Sequence, residues 1–211
     1  MFALNVVKLR ARRDNNESNK RLHFFASYFS IYFSWVFINC RLSPNSVTGI
    51  FFVIGLFSAG LFSFTDPIFI IIAYCLWRLH IIIDICDGEV ARFTKKFSIN
   101  GAYWDYMIHS ILYPLVYVSI CFSLQKKFDD VIFLIVGLFG SIIVSQTLSV
   151  KNNYYRAMLF NNKKININIS ASKVSALKAY SINIFTNLFN FEGFLLAYVA
   201  ISLIKTSKEI Y

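Results

Sequence analysis

Asp84, Asp87, Asp105 and His109 lie in the stretch "DICDGEVARFTKKFSINGAYWDYMIHS", Asp84 to Ser110, with a long apolar run on either side. Four of the chain's eleven acidic residues fall there, Glu89 being the fourth. A charged side chain at membrane depth costs about 2.5–3.5 kcal/mol on insertion scales, so such residues point to function. Asp84 and Asp87 are three apart and share a helix face, as do Asp105 and His109, four apart. Two such helices, joined by a loop holding Arg92, Lys95 and Lys96, would meet as an antiparallel pair with acids facing acids. Clustered anions repel unless neutralised. The agent that suits oxygen ligands is a hard divalent cation, magnesium or manganese.

The small residues between the acids fit a nucleotide. Gly88 follows Asp87 and Ala91 is small, so a ligand can approach that helix backbone closely. Gly101 opens the facing helix in the same way. Arg92 offers a planar fork to a phosphate. Acids for metal, small residues for a base or ribose, and a cation for phosphate together suggest metal-assisted phosphoryl chemistry. An ion-paired hairpin, with Arg92, Lys95 and Lys96 balancing the acids, accounts for any one of these residues but not for the whole set.

The pattern Asp84-x2-Asp87-Gly88-x2-Ala91-Arg92-x8-Gly101-x3-Asp105-x3-His109 resembles the signature of the CDP-alcohol phosphotransferases. Seven positions match at the family's spacing. With residue frequencies near ~5%, chance agreement is on the order of one in a billion per start point. The stretch "LSPNSVT" also resembles the family's entry into its first spanning helix. The resemblance covers roughly residues 40–150. It implies transfer of a substituted phosphate from a CDP-linked lipid donor to an alcohol, with release of CMP, by a six-helix membrane enzyme acting as a homodimer. It implies metal binding by Asp84, Asp87 and Asp105, and a CDP site lined by Gly88, Ala91, Arg92 and Gly101, to which Asn45 and Thr48 are added. The family's fourth aspartate is a metal ligand and proposed base for the acceptor hydroxyl, and His109 stands at that position.

Three roles are open to His109. An imidazole titrates ordinarily near ~6.5 and a carboxylate near ~3.9, which suits the former to taking a hydroxyl proton at neutral pH. As a ligand, imidazole would shift preference from magnesium toward manganese or another transition metal. Alternatively the base is lost and the chain is a non-enzymatic lipid- or partner-binding relative. His80, four residues before Asp84, is expected to be a packed core histidine.

The elements that must hold these residues follow from composition. Of 211 residues 57% are hydrophobic, 18% aromatic and only 15% charged, well below the charge of a soluble domain. Several continuous apolar runs approach the ~20 residues that a bilayer requires. The expected fold is an all-α integral membrane protein, a bundle of five or six transmembrane helices with an N-terminal interfacial helix. Spans are expected at Val47–Phe64, Ile68–Ile83, Tyr103–Phe122 and Val131–Val150. A shorter run covers Phe194–Ile204, and 174–190 is either an interfacial helix or a sixth span. The predicted division is 1–41, a basic N-terminus plus interfacial helix, and 42–211, the transmembrane domain.

The net charge of +10 reflects basic cytoplasmic loops, and no nucleic-acid-binding motif accompanies it. The N-terminus, the Arg92–Lys96 segment and the Lys151–Lys173 segment then share the cytoplasmic side of an inner or plasma membrane, and the acidic window opens to it. Residues 22–40, rich in Tyr, Phe and Trp, read as a helix lying in that interface, held to anionic lipid by the basic N-terminus, with a true span as the alternative. Cys40, Cys75, Cys86 and Cys121 form no CxxC pair and are expected to be buried fillers. An ion channel is disfavoured, because the acids cluster at one end of the helices.

Overall fold

A computed structural model describes residues 3–11, 24–96, 99–160 and 191–208. These residues form helices and turns, without strands: α1 (Leu4–Ala11), α2 (Phe24–Asn39), α3 (Pro44–Leu61), α4 (Pro67–Thr94), α5 (Ile99–Phe128), α6 (Ile132–Phe160) and α7 (Phe191–Lys208). Four of them, within α3, α4, α5 and α6, are long and apolar enough to cross a membrane. The protein is an all-α integral membrane protein.

The helix starts lie where local chemistry sets them. Ser43 caps α3, its hydroxyl accepting from the Ser46 N–H, and Pro44 occupies the first turn, where its missing N–H costs nothing. Asp66 and Pro67 repeat the arrangement at α4, with Asp66 Oδ1 accepting from the Ile68 N–H at 2.9 Å. Lys95 ends α4 in the left-handed conformation, φ 55°.

α3 packs against both α4 and α5, and α2 lies on the other side of α4. Small residues let α3 approach its neighbours: Ser58 Oγ donates to the Ala73 carbonyl of α4 at 2.8 Å. At Gly55 a Cβ would run into Leu112 Cδ1 of α5 and lie 3.0 Å from His80 Nδ1 of α4. The core around this crossing includes Phe51, Trp77, His80, Leu112 and Val116, all fully buried. α6 leans on α5, with 6% of its apolar stretch covered by the chain, against 33–39% for the other three. α7 docks on α4, and Tyr198 Oη donates to Ser123 Oγ of α5 at 3.0 Å.

Several sequence expectations shift. α4 runs past the expected span end at Ile83, and past Arg92, to Thr94: 28 residues, about 42 Å at 1.5 Å per residue. It carries the acidic motif in its last turns, and Asp84 sits about 26 Å from the helix start, close to the edge of a ~30 Å hydrocarbon layer. Lys151–Phe160, expected as loop, continues α6. α1 falls within the segment read as a polar tail, and its Val7 is fully buried. Cys86 and Cys121 are buried, whereas Cys40 and Cys75 are exposed, which corrects the expectation that all four are fillers. α2 has 16 residues, about 24 Å, short of the ~30 Å hydrocarbon layer. It buries Ala26, Ser30, Ile31, Ser34 and Ile38 and exposes Tyr28, Phe29 and Tyr32. The segment 174–190 lies outside the described residues.

Candidate active site

The last turns of α4 and the first turns of α5 carry the site, and α3 props them apart. α4 and α5 do not form the closely packed antiparallel pair that spacing suggested. Among the described residues α4 packs chiefly on α3, and α5 on α6 and then α3; the acids of α4 and α5 meet through side chains across the space between. His109 Nε2 of α5 lies 3.5 Å from Asp84 Oδ1 of α4 and 3.2 Å from Asp105 Oδ1, one turn earlier on its own helix. One donor atom from each of the three lies within 4.8 Å of the others. Asp105 Oδ1 and His109 Nδ1 are both buried and have no hydrogen-bond partner. His109 Nε2 is thus within ion-pair distance of both carboxylates, while Asp105 Oδ1 makes no completed hydrogen bond.

The imidazole is held by its ring faces. Phe51 of α3 stacks on His109 with centroids 6.1 Å apart and planes 21° from parallel, and Tyr113 lies at 5.6 Å. Below it, His80 is fully buried and its Nδ1 is 2.9 Å from the Phe51 carbonyl oxygen. A carbonyl only accepts, so Nδ1 carries the proton. His80 is the packed core histidine expected: its ring lies against Trp77 at 4.9 Å and Phe51 at 5.3 Å.

Asp87 stands apart from that cluster. Its Oδ2 accepts from Thr48 Oγ1 at 2.9 Å, which ties it to the first turns of α3. Gly88 lies under Arg92: a Cβ at 88 would be 3.2 Å from Arg92 Nη1. The bare backbone gives the guanidinium room to lie along the helix. Ala91 and Gly101 are half-buried on α4 and α5, and Asn45 is exposed in the first turn of α3. The structure thus brings Asp84, Asp105 and His109 together, pairs Asp87 with Thr48, and sets Arg92 over Gly88.

Sequence reasoning passed over the fourth acid of the window. Glu89 is only 3% exposed and faces α2, where Ser30 Oγ donates to its Oε1 at 3.0 Å and Ser34 Oγ to its Oε2 at 2.7 Å. Cys86 Sγ donates to the Ser30 carbonyl at 3.2 Å. The signal was present: two serines four apart in an otherwise greasy helix, and an acid two residues beyond Asp87 on another face of α4.

The three donors suit a divalent cation, since two carboxylates and an imidazole nitrogen from two helices converge and one of the carboxylate oxygens, Asp105 Oδ1, is buried without a hydrogen bond. Residues 41–204 match the sequence profile of the CDP-alcohol phosphatidyltransferase family. Two curated relatives both bear the name bifunctional IPC transferase and DIPP synthase. The protein from Archaeoglobus fulgidus is 35% identical over 107 residues, and that from Aquifex aeolicus 28% over 105. The matches cover 51% and 50% of this chain but 20% and 24% of those proteins.

Proposed function

The chain belongs to the CDP-alcohol phosphatidyltransferase family, and from that membership we propose that it transfers a substituted phosphate from a CDP-linked lipid donor to an alcohol. The acceptor oxygen forms a new bond to the phosphorus next to the lipid. The bond between that phosphorus and the bridging oxygen breaks, and CMP leaves with the bonding electrons. The acceptor's proton passes to a base at the site. The observation that carries this reading is the convergence of Asp84, Asp105 and His109 within 4.8 Å at the end of the motif.

Asp84, Asp105 and His109 would hold a divalent cation, magnesium or manganese, with Asp87 close by on α4. When bound, it supplies positive charge against the phosphates of donor and transition state. Arg92 presents its fork to a donor phosphate, and Gly88, Ala91 and Gly101 leave the helix backbones open to the nucleotide. Thr48 fixes Asp87, and Asn45 lines the same mouth. The site faces the cytoplasm of an inner or plasma membrane, in keeping with the basic segments around it. Residues 1–41 serve as the anchor on the bilayer surface, residues 42–211 as the transferase domain, and the active form is a homodimer.

The names of the two relatives, which speak of a transferase and a synthase, accord with group transfer. A second reading is favoured by His109 itself: with a histidine where the family has an aspartate, the chain would be a lipid- or partner-binding relative that no longer turns over. CMP release from CDP-diacylglycerol by the purified protein, with a mixed pool of alcohols and either metal, separates the two. Release from the native chain that EDTA abolishes supports the transferase. Release seen only from His109→Asp supports the second reading.

A further inference from the structure

The imidazole at 109 offers one nitrogen to the site. Nε2 faces both carboxylates, at 3.5 Å from Asp84 Oδ1 and 3.2 Å from Asp105 Oδ1. Nδ1 is buried, and the ring is clasped by Phe51 and Tyr113. A base and a metal ligand both need the lone pair of that same Nε2. A base must point it at an acceptor hydroxyl, whereas this one points between two aspartate oxygens. Asp105 Oδ1 remains buried without a hydrogen-bond partner despite the nearby ring, so the contact is not a completed hydrogen bond that would occupy the carboxylate.

We propose that His109 is a metal ligand through Nε2, and that with Asp84 and Asp105 it makes a nitrogen-and-oxygen site that selects a first-row transition-metal ion over magnesium. The proposal rests on the family reading for the place of the site, and it concerns what this chain's own residue does there. Magnesium favours oxygen ligands and holds its waters tightly. An imidazole in place of a carboxylate removes one negative charge, which weakens the purely electrostatic hold on magnesium. The nitrogen compensates for manganese, iron, cobalt or zinc, whose affinity for imidazole is higher. His109 then no longer serves as the base for the acceptor hydroxyl.

The test uses the full untagged chain in detergent micelles, loaded with Mn²⁺, and pulsed electron paramagnetic resonance to read coupling between the metal and ¹⁴N. Coupling is expected in the native protein, replaced by a ¹⁵N pattern when the chain is grown with ¹⁵N-histidine, and lost in His109→Asp, which still binds Mn²⁺. Competition titration is expected to show Mn²⁺ binding at least about tenfold tighter than Mg²⁺ to the native chain, with the ratio falling several-fold in His109→Asp. Mn²⁺ bound without nitrogen coupling, coupling that survives His109→Asp, equal affinities for the two ions, or no binding of Mn²⁺ would each overturn it. CMP release measured on the same samples keeps the two readings apart. Turnover without nitrogen coupling sinks the ligand and leaves the transferase standing; coupling without turnover supports the ligand and sinks the transferase.

Discussion

Thr48 Oγ1 donates to Asp87 Oδ2 over 2.9 Å, joining the first turns of α3 to the second acid of the α4 motif. The same hydroxyl lies 3.1 Å from the Pro44 carbonyl. It has one proton, and the carboxylate is the stronger acceptor. The bond fixes one oxygen of Asp87 and leaves the other to the site. A hydrogen bond to a charged group is worth about 1.5–3 kcal/mol. Thr48→Val, of nearly equal shape, is therefore expected to lower kcat/KM for CMP release by roughly 10- to 100-fold, and Thr48→Ser to keep most of the activity. Equal activity in Val and native protein would remove Thr48 from the site.

Arg92 and Gly88 form a second coupled pair. A Cβ at 88 would sit 3.2 Å from Arg92 Nη1, tight enough that the guanidinium must shift by a few tenths of an ångström. If that fork holds a donor phosphate, Gly88→Ala should raise the KM for the CDP donor by roughly tenfold, about 1.4 kcal/mol, with little change in thermal stability. Arg92→Lys keeps the charge but loses the bidentate geometry, and should raise it at least as much. Saturation kinetics with CDP-diacylglycerol decide the matter, and an unchanged KM in both variants would place the phosphate elsewhere.

Gly55 has a structural task that Gly49, six residues earlier on α3, does not share. A Cβ at 55 would strike Leu112 and press on His80, whereas one at 49 would meet nothing within 4 Å. Gly55→Ala must displace the Leu112 side chain or move α3 away from α5, at a cost of about 1–3 kcal/mol for overpacking. Gly49→Ala should be neutral or stabilising by up to ~1 kcal/mol, since alanine is the better helix former. Thermal unfolding in detergent should show the first variant several degrees below native and the second at or above it.

The motif was legible because its chemistry is written in local spacing. Residues three or four apart share a helix face, so Asp84 with Asp87 and Asp105 with His109 could be paired without coordinates. The apolar runs were legible because composition alone marks them. What spacing does not encode is which face meets which neighbour. That α3 can approach α4 and α5 closely at their crossing depends on Gly55, a residue whose signal is the absence of a side chain. That Asp87 pairs with Thr48 and not with the other acids depends on the rotation of α4, which local sequence does not set. The expected loop at Arg92 proved to be the last turn of α4, because a switch from apolar to charged residues marks the edge of the bilayer and not the end of a helix.

Glu89 gives the sharpest case of a residue whose role only the fold reveals, and it yields a test of how α2 is held. The carboxylate is buried against α2 and receives Ser30 and Ser34 on separate oxygens. A buried carboxyl group is tolerated where hydrogen-bond donors satisfy it. Removing the acid and removing a donor cost stability by different routes. In Glu89→Ala the two hydroxyls can turn back to carbonyls one turn earlier in α2, so the loss is about 1–3 kcal/mol for the bonds and the space left. In Ser34→Ala the buried carboxyl loses its shorter bond while the group itself stays, a cost at least as large for a smaller change of volume. Glu89→Gln retains the shape and should fall between native and Ala. Because the pairs are coupled, the double variant Glu89→Ala, Ser34→Ala should be more stable than the sum of its parts predicts, by about 0.5–3 kcal/mol. Thermal unfolding of the four proteins in detergent gives the cycle. Faster proteolysis at the Cys40–Leu42 turn in Ser34→Ala would show α2 as the element released. Additive losses would mean that the two side chains stabilise the fold independently, and that the contact between them does not hold α2 to α4.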